Sequence, residues 1–388
     1  MNNKFIPLSV PNLKGRELEY VTHAVETEWV STGGPYVTEF ENKTAEYVKA
    51  KGAVSCQNGT SGLHIGLMLC GVTNKDEVIV PTLTFIAAVN PVKYIGAEPI
   101  FMDCDDSLAI DPDKLLEFCE TECSFIDKRL INNKTKKQIK AIIVVHVFGN
   151  MADMGKIMNI SDKFNLKVIE DATEAIGTYY TSGKYAGKYA GTIGNLGVYS
   201  FNGNKIITTG GGGMIVSNDE ELLKQAKHLT TQAKVDEIYF IHDEVGYNYR
   251  MTNLQAALGL AQLEQLEGFI AVKKQNYDLY KQLLERIPGL TMLKFREDIR
   301  SNYWFYALKC NEEYNMNRDD VINYLYSKKI QSRPIWALIN EQKPYLNNQA
   351  YKIEKAKFYL ENIVNIPCSS NLSKDDVIYI SKCLSNPE

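Results

Sequence analysis

Among 388 residues there is no Cys-x-x-Cys pair and no close histidine pair. The five histidines (His23, His64, His146, His228, His242) stand far apart. Cys119 and Cys123 are one helical turn apart, but no second ligand pair lies near them in sequence. A zinc site therefore lacks its usual donors, and no metal is expected. All eight cysteines are scattered, mostly within apolar segments. Buried free thiols in a reducing cytosol account for that distribution, so a cytoplasmic location is expected. No apolar run approaches the roughly 20 residues needed to span a bilayer. The opening MNNKFIPLSVPNLKGRE has no apolar core of the kind a signal peptide carries. Blocks of like charge are also missing: 43 basic residues face 47 acidic ones, for a net charge of -4. Neither a membrane nor a nucleic acid is expected as a partner. The densest basic stretch, Lys128–Lys140 with Lys134, Lys136 and Lys137, reads as a solvated loop between a helix and a strand. Internal repeats and low-complexity tracts are absent too, which excludes solenoids and linkers.

What is present is a chain that is 45% hydrophobic, enough for one large core and a smaller one. Strand-like runs occur at Ala53–Cys56, Glu77–Val80, Pro99–Asp103, Ala141–His146, Lys167–Glu170, Gly197–Phe201 and Gly213–Val216. Several are apolar throughout, as expected when both faces of a sheet are covered. Helical patterns separate them; in Thr60–Leu69, Leu63, Leu67 and Cys70 recur at i, i+4 and i+7. This alternation predicts an α/β fold with a mostly parallel sheet. From Thr252 a long helical stretch runs towards Leu284 and reads as a connector. Beyond it a strand (Trp304–Lys309), a helix (Arg318–Lys328), a strand (Ile330–Ile335) and a helix (Tyr351–Glu361) predict a compact α+β unit. The expected division is a large domain over 1–265 and a small domain over 266–388.

Three segments carry chemistry. In Val168-Ile169-Glu170-Asp171 an apolar strand ends in a carboxylate, and ligands of parallel sheets bind beyond such strand ends. A strand-end aspartate also serves as a helix cap or ion-pair partner. In the segment 197–213 a strand delivers Ser200, a polar turn ends at Lys205, and four glycines follow. Consecutive glycines suit a backbone that bends sharply beside something bulky. A lysine between such segments sits in a partly dry place where its amine can act as a nucleophile, although an exposed loop lysine is the default. Third, Asn58-Gly59-Thr60-Ser61 leads straight into a helix, offering free N–H groups and a favourable dipole to an anion, or simply an N-cap. A phosphate cradle, a carboxylate and a nucleophilic lysine are together the parts that pyridoxal 5′-phosphate requires.

The chain resembles the DegT/DnrJ/EryC1/StrS family of sugar aminotransferases along essentially its whole length. The resemblance rests on NGTSGLHIGL (58–67), PTLTFIAAVNPV (81–92), EPIFMDCD (98–105), HVFGN (146–150), VIEDATEAIG (168–177), YSFNGNKIITTGGGG (199–213), GYNYRMTNLQAALGLAQLEQL (246–266) and QSRPIW (331–336). It implies the pyridoxal-phosphate fold-type I, or aspartate-aminotransferase-like, architecture: a mostly parallel seven-stranded sheet in the large domain and a small C-terminal α+β domain. It implies that Lys205 is the Schiff-base lysine and proton shuttle, and that Asp171 pairs with the ring nitrogen. Glu174 is expected near the ring oxygen, where many family members carry Gln, and Phe85 is expected to stack on the ring. Gly59, Thr60, Ser61 and Ser200 are expected at the phosphate, with Asn202 close by. Asn248 is expected to reach the phosphate of a neighbouring subunit, making the active site shared across a homodimer; turn formation is the plainer role. Trp29, Ser31, Arg250, Arg333 and Trp336 are expected substrate contacts, with packing or surface pairing as their alternatives.

One branch of the fold family replaces the lysine by histidine and removes a hydroxyl, so Lys205 implies transamination. Glutamate is the implied donor, with the pyridoxamine form of the cofactor between half-reactions. The acceptor implied is C4 of a UDP- or GDP-linked 4-keto-6-deoxy-N-acetylhexosamine of the bacillosamine or legionaminic-acid type. FNGNKIITTGGGGM and GYNYRMTN suggest that group, and the insertion around Ser124–Ile139 suggests the legionaminic branch. The rivals are a 3-keto-sugar aminotransferase, a lyase or desulfurase acting on an amino acid, and a cofactor-binding regulator. The last has no spare segment here for a DNA-binding module.

Overall fold

The computed structural model describes residues 4–236 and 238–386. Its centre is a ten-stranded sheet. Eight strands lie side by side in the order Gly52–Cys56, Gly213–Ser217, Leu196–Ser200, Lys167–Asp171, Gln138–Val145, Asp76–Pro81, Glu98–Met102 and Ala350–Tyr351. Of these eight only Gly213–Ser217 runs against its neighbours, so the sheet is mostly parallel. The first seven are the strands expected from the apolar runs. Val78, Ile79 and Val80, Ile142–Val144, and Val168 and Ile169 are buried. Helices on both faces explain why these runs do not alternate with polar residues.

Three strands of this sheet were not expected. Ala350–Tyr351 arrives from the C-terminal region and lies parallel to Glu98–Met102 at the sheet edge. Cys123–Ile126 and Arg129–Asn132 form a hairpin whose second strand pairs with Gln138–Val145. The basic stretch is therefore part sheet and part loop: Asp127 and Lys128 make the hairpin turn with positive φ, whereas Lys134, Lys136 and Lys137 lie in the connection to the next strand, as the loop reading expects, with Lys134 and Lys136 exposed.

The long helical stretch from Thr252 is two helices, Asn253–Leu263 and Leu266–Leu284, broken at Glu264–Gln265. A capping box starts the first: Thr252 and Gln255 satisfy each other's backbone N–H groups. Past residue 284, Leu290–Met292, Tyr306–Cys310, Ile363–Ile366 and Arg333–Pro334 form a four-stranded sheet. The strand expected over Ile330–Ile335 shrinks to Arg333–Pro334, because proline cannot donate to a ladder and is confined to an edge. The helix expected from Tyr351 starts at Lys355 instead. Tyr351 is already engaged with Met102, and Asp103 gathers the backbone N–H groups of Glu354, Lys355 and Ala356. All eight cysteines are buried and free. Among the described residues no helix is long and apolar enough to cross a membrane.

Candidate active site

The parallel strands bring their carboxyl ends to one crevice, as open α/β sheets do. Asp171 and Ser200 are the last residues of adjacent strands, and Asn58 follows Cys56 two strands away. They line a cavity of about 330 Å³ together with Lys205, Glu174 and Phe85. Gly59, Thr60, Asn202 and Trp336 also face it.

Asn58 caps the helix Gly59–Leu69, its side chain accepting from Ser61 N at 2.8 Å. The first N–H groups of a helix lack intrahelical partners, so Gly59 and Thr60 present donors and the positive dipole end to the cavity. Ser61 is buried behind them and does not line it. The glycine run ends here: a Cβ on Gly213 would come within 2.6 Å of the Asn58 carbonyl carbon and 2.8 Å of Gly59 N. The bulky neighbour that Gly213 accommodates is thus the helix N-terminus itself. Gly210 adds a left-handed turn at φ 76°.

Asp171 is 3% exposed and accepts from Thr173 N at 3.1 Å. Burial pushes its carboxyl above the usual range, outweighing the Thr173 hydrogen bonds and nearby Lys205. Glu174, 4% exposed, accepts from Phe148 N at 2.9 Å and lies 3.5 Å from Lys205 Nζ. Burial raises Glu174 to about 7 even with the lysine beside it. Next to them, Glu170 accepts from His146 Nε2 at 2.8 Å and from Gly191 N and Ile193 N. Ala152 N donates to His146 Nδ1, which makes Nε2 the protonated nitrogen. This saturated cluster fixes the strand end that carries Asp171.

Lys205 has a largely buried side chain, 13% exposed, and its Nζ sits over the Trp304 indole, 4.2 Å from the ring centre. Phe85 is 55% exposed at the cavity mouth. Trp304 was missed in the sequence: it reaches the site from a segment a hundred residues away, with no local signal. Phe148 was missed as well; it has φ 57° and supports Glu174 through its backbone.

The other expected residues do not join this cavity within one chain. Arg250 lines a separate cavity of about 370 Å³ with Thr32, Gly33, Lys227 and Lys234, and its Nε is buried with no hydrogen-bond partner among the described residues. Asn248 is exposed, bridged to Thr231. Trp29 is 57% exposed and Ser31 is exposed; their carbonyls accept from the Asn253 side chain and backbone respectively. Arg333 is exposed on its edge strand, although Trp336, three residues on, faces the cavity. One group of potential metal ligands went unnoticed in the sequence: His228 Nε2 lies 2.7 Å from Asp243 Oδ1 and 3.5 Å from Glu244 Oε1. It sits at the surface, away from the crevice residues.

A largely buried lysine, a buried strand-end carboxylate and a helix N-terminus thus meet around one cavity. The chain matches the DegT/DnrJ/EryC1/StrS aminotransferase family over residues 11–385 and belongs to it. It is a pyridoxal-phosphate-dependent aminotransferase of the sugar-modifying kind. It is 39% identical to the GDP-perosamine synthase of Escherichia coli O157:H7, with 98% of each chain covered. It is 33% identical to the putative pyridoxal phosphate-dependent aminotransferase EpsN of Bacillus subtilis, covering 96% of this chain and 93% of that one. A DegT/DnrJ/EryC1/StrS aminotransferase from Brucella abortus superimposes with a TM-score of 0.86 at 26% identity, covering 95% and 94% of the two chains.

Proposed function

We propose that the chain transfers an amino group from glutamate to C4 of a nucleotide-linked 4-keto-6-deoxyhexose, giving a 4-amino-4,6-dideoxy sugar for surface glycan or nonulosonic acid synthesis. The observation that carries this is the convergence of Lys205, Asp171 and the Gly59 helix terminus on one cavity. The 39% identity to a GDP-perosamine synthase makes a GDP-linked acceptor the first to test. The UDP-linked N-acetylhexosamine of the legionaminic or bacillosamine type is the second. The fold is assigned to fold-type I, with a division at residue 265 and a cytoplasmic homodimer in which Asn248 and Arg250 serve the neighbouring subunit's site. Arg250 is offered in support of that arrangement, since its buried Nε has no hydrogen-bond partner among the described residues.

The site fits the cofactor. The helix N-terminus and Ser200 suit a phosphate, whose charge the free N–H groups and dipole favour. Asp171 suits a protonated pyridine nitrogen: a buried carboxylate with little compensation is stabilised by a cation set against it. Phe85 at the mouth offers a ring face. Pyridoxal phosphate, when bound, supplies an electron sink and carries the amino group between donor and acceptor. Lys205 anchors it and, once its amine is free, takes the proton from Cα of the donor and delivers one to sugar C4 from a single face. Glu174, next to Lys205, can hold a proton near neutral pH. Trp336, on the C-terminal side of the cavity, bounds the space left for the sugar.

The test is an absorbance titration of the holoenzyme. Glutamate should bleach the cofactor's visible band, and one keto sugar, GDP- or UDP-linked, should restore it and name the nucleotide. A band that glutamate leaves untouched would point to another donor or to amino-acid lyase chemistry.

A further inference from the structure

Lys205 has to be held somewhere whenever its amine is not covalently engaged. Its Nζ lies over the face of Trp304, 4.2 Å from the ring centre, with Glu174 Oε1 at 3.5 Å on another side. Trp304 is 3% exposed and unusually well restrained. Tyr303 before it has φ 54°, a left-handed conformation that the surroundings must impose. The Trp304 backbone N–H donates to Asn302 Oδ1 at 3.0 Å, and Asn302 Nδ2 in turn donates to the carbonyls of Glu174 (2.9 Å) and Ile176 (3.0 Å). The Trp304 carbonyl accepts from Lys273 Nζ at 3.1 Å. Lys273 is 3% exposed, and its Nζ also donates to the Cys368 carbonyl. The indole N–H donates to the carbonyl of Asn204, the residue before Lys205, at 2.9 Å.

We propose that Trp304 is a positioning residue for Lys205: its indole N–H fixes the turn that carries the lysine, and its ring face receives the ammonium whenever that amine is free. Several polar groups hold this lysine between its own turn and the strained Tyr303–Trp304 segment. Folding alone would be served as well by an apolar side chain at Trp304 and at Lys273. A cation over a desolvated indole is attracted by the ring's negative face, and Trp is the strongest partner for this contact. The side chain is thereby kept beside the crevice and not free to swing into solvent, so that its neutral amine accepts a proton, and the ammonium so formed delivers one, on one side of the cavity. Lys273 acts one step further out, as the strut under the Trp304 carbonyl.

The kinetic arm of the test rests on the aminotransferase reading; the spectroscopic arm does not. The chain has three tryptophans. In the cofactor-free full chain, tryptophan emission is compared between wild type and Lys205→Met, and again in a Trp304→Phe background. A change on removing the lysine that disappears in the Trp304→Phe pair is expected; the same change in both pairs, or none in either, overturns the proposal. In the holoenzyme, Trp304→Leu should lower kcat roughly tenfold with KM for glutamate little changed, the order a desolvated cation–π contact supports. Trp304→Phe, which keeps a ring face, should lose less. Unchanged kcat in Trp304→Leu, or a loss equal to that of Trp304→Phe, overturns it. Melting curves of each variant show whether it is folded, and the emission comparison decides the matter if Trp304→Leu is not.

Discussion

Two aspartates at the carboxyl ends of strands in the same sheet have opposite surroundings. Asp103, fully buried, follows the Glu98–Met102 strand and accepts from the N–H groups of Glu354, Lys355 and Ala356 at 2.8–3.0 Å and from Lys114 Nζ at 2.7 Å. Burial alone would raise its carboxyl, but Lys114 and the three N–H groups overcome that and hold it below the usual range. Asp171, equally buried, has the Thr173 hydrogen bonds and is pushed up. A buried carboxylate that the protein has satisfied is a structural tie. One left short of donors at the mouth of a cavity is set for a cationic partner that the chain itself does not supply. Both have the same strand-end sequence pattern, so only the tertiary structure separates them.

The largest expected effect tests the site side of this contrast. Lys205→Ala should fold with near-normal melting behaviour and show no turnover; normal transamination by that variant would sink the assignment. Asp171→Asn should lower activity by at least about a hundredfold, the scale of removing one preorganised charge interaction, while the cofactor-free chain melts no lower than wild type. Asp103→Asn should do the reverse. It leaves Lys114 and the helix start short of an acceptor and should cost about 3–5 kcal/mol in denaturant unfolding, with kcat in the surviving folded enzyme near normal. Equal losses of stability in the two aspartate variants would erase the distinction. A smaller effect concerns Glu174. Its folded-state value of about 7 stands above its ordinary 4.5, so its contribution to stability is fully present below 4.5 and is lost as pH rises through about 7. Melting temperatures of cofactor-free wild type should therefore fall relative to Glu174→Gln between about pH 5 and about pH 8. Parallel curves would show that Glu174 titrates normally.

Seven strands of the large sheet were legible because continuous apolar runs such as Ile142–Val145 admit few other readings once glycine and polar turns bound them. The crevice residues were legible because each lies in a short local motif: a capped helix start, a strand-end acid, a lysine before glycines. What stayed hidden depends on contacts distant in sequence. Ala350–Tyr351 has no strand signal of its own and is a strand only because Phe101 and Met102 offer an open edge. Trp304 resembles any core tryptophan until its indole is seen on Asn204 and Lys205. The connector read as one helix because nothing apolar marks the break at Glu264–Gln265, where both residues keep near-helical angles.

The edge strand Ala350–Tyr351 has a bearing on modularity. By sequence order the chain looks severable near residue 265, yet the last strand of the large sheet and the donors for Asp103 are both encoded after residue 340. A fragment ending at residue 265 would expose the raw edge of Glu98–Met102 and leave Asp103 with only Lys114. Such edges recruit strands from other molecules. The C-terminal part thus covers an edge of the large sheet, and in doing so guards that edge against strands from other molecules.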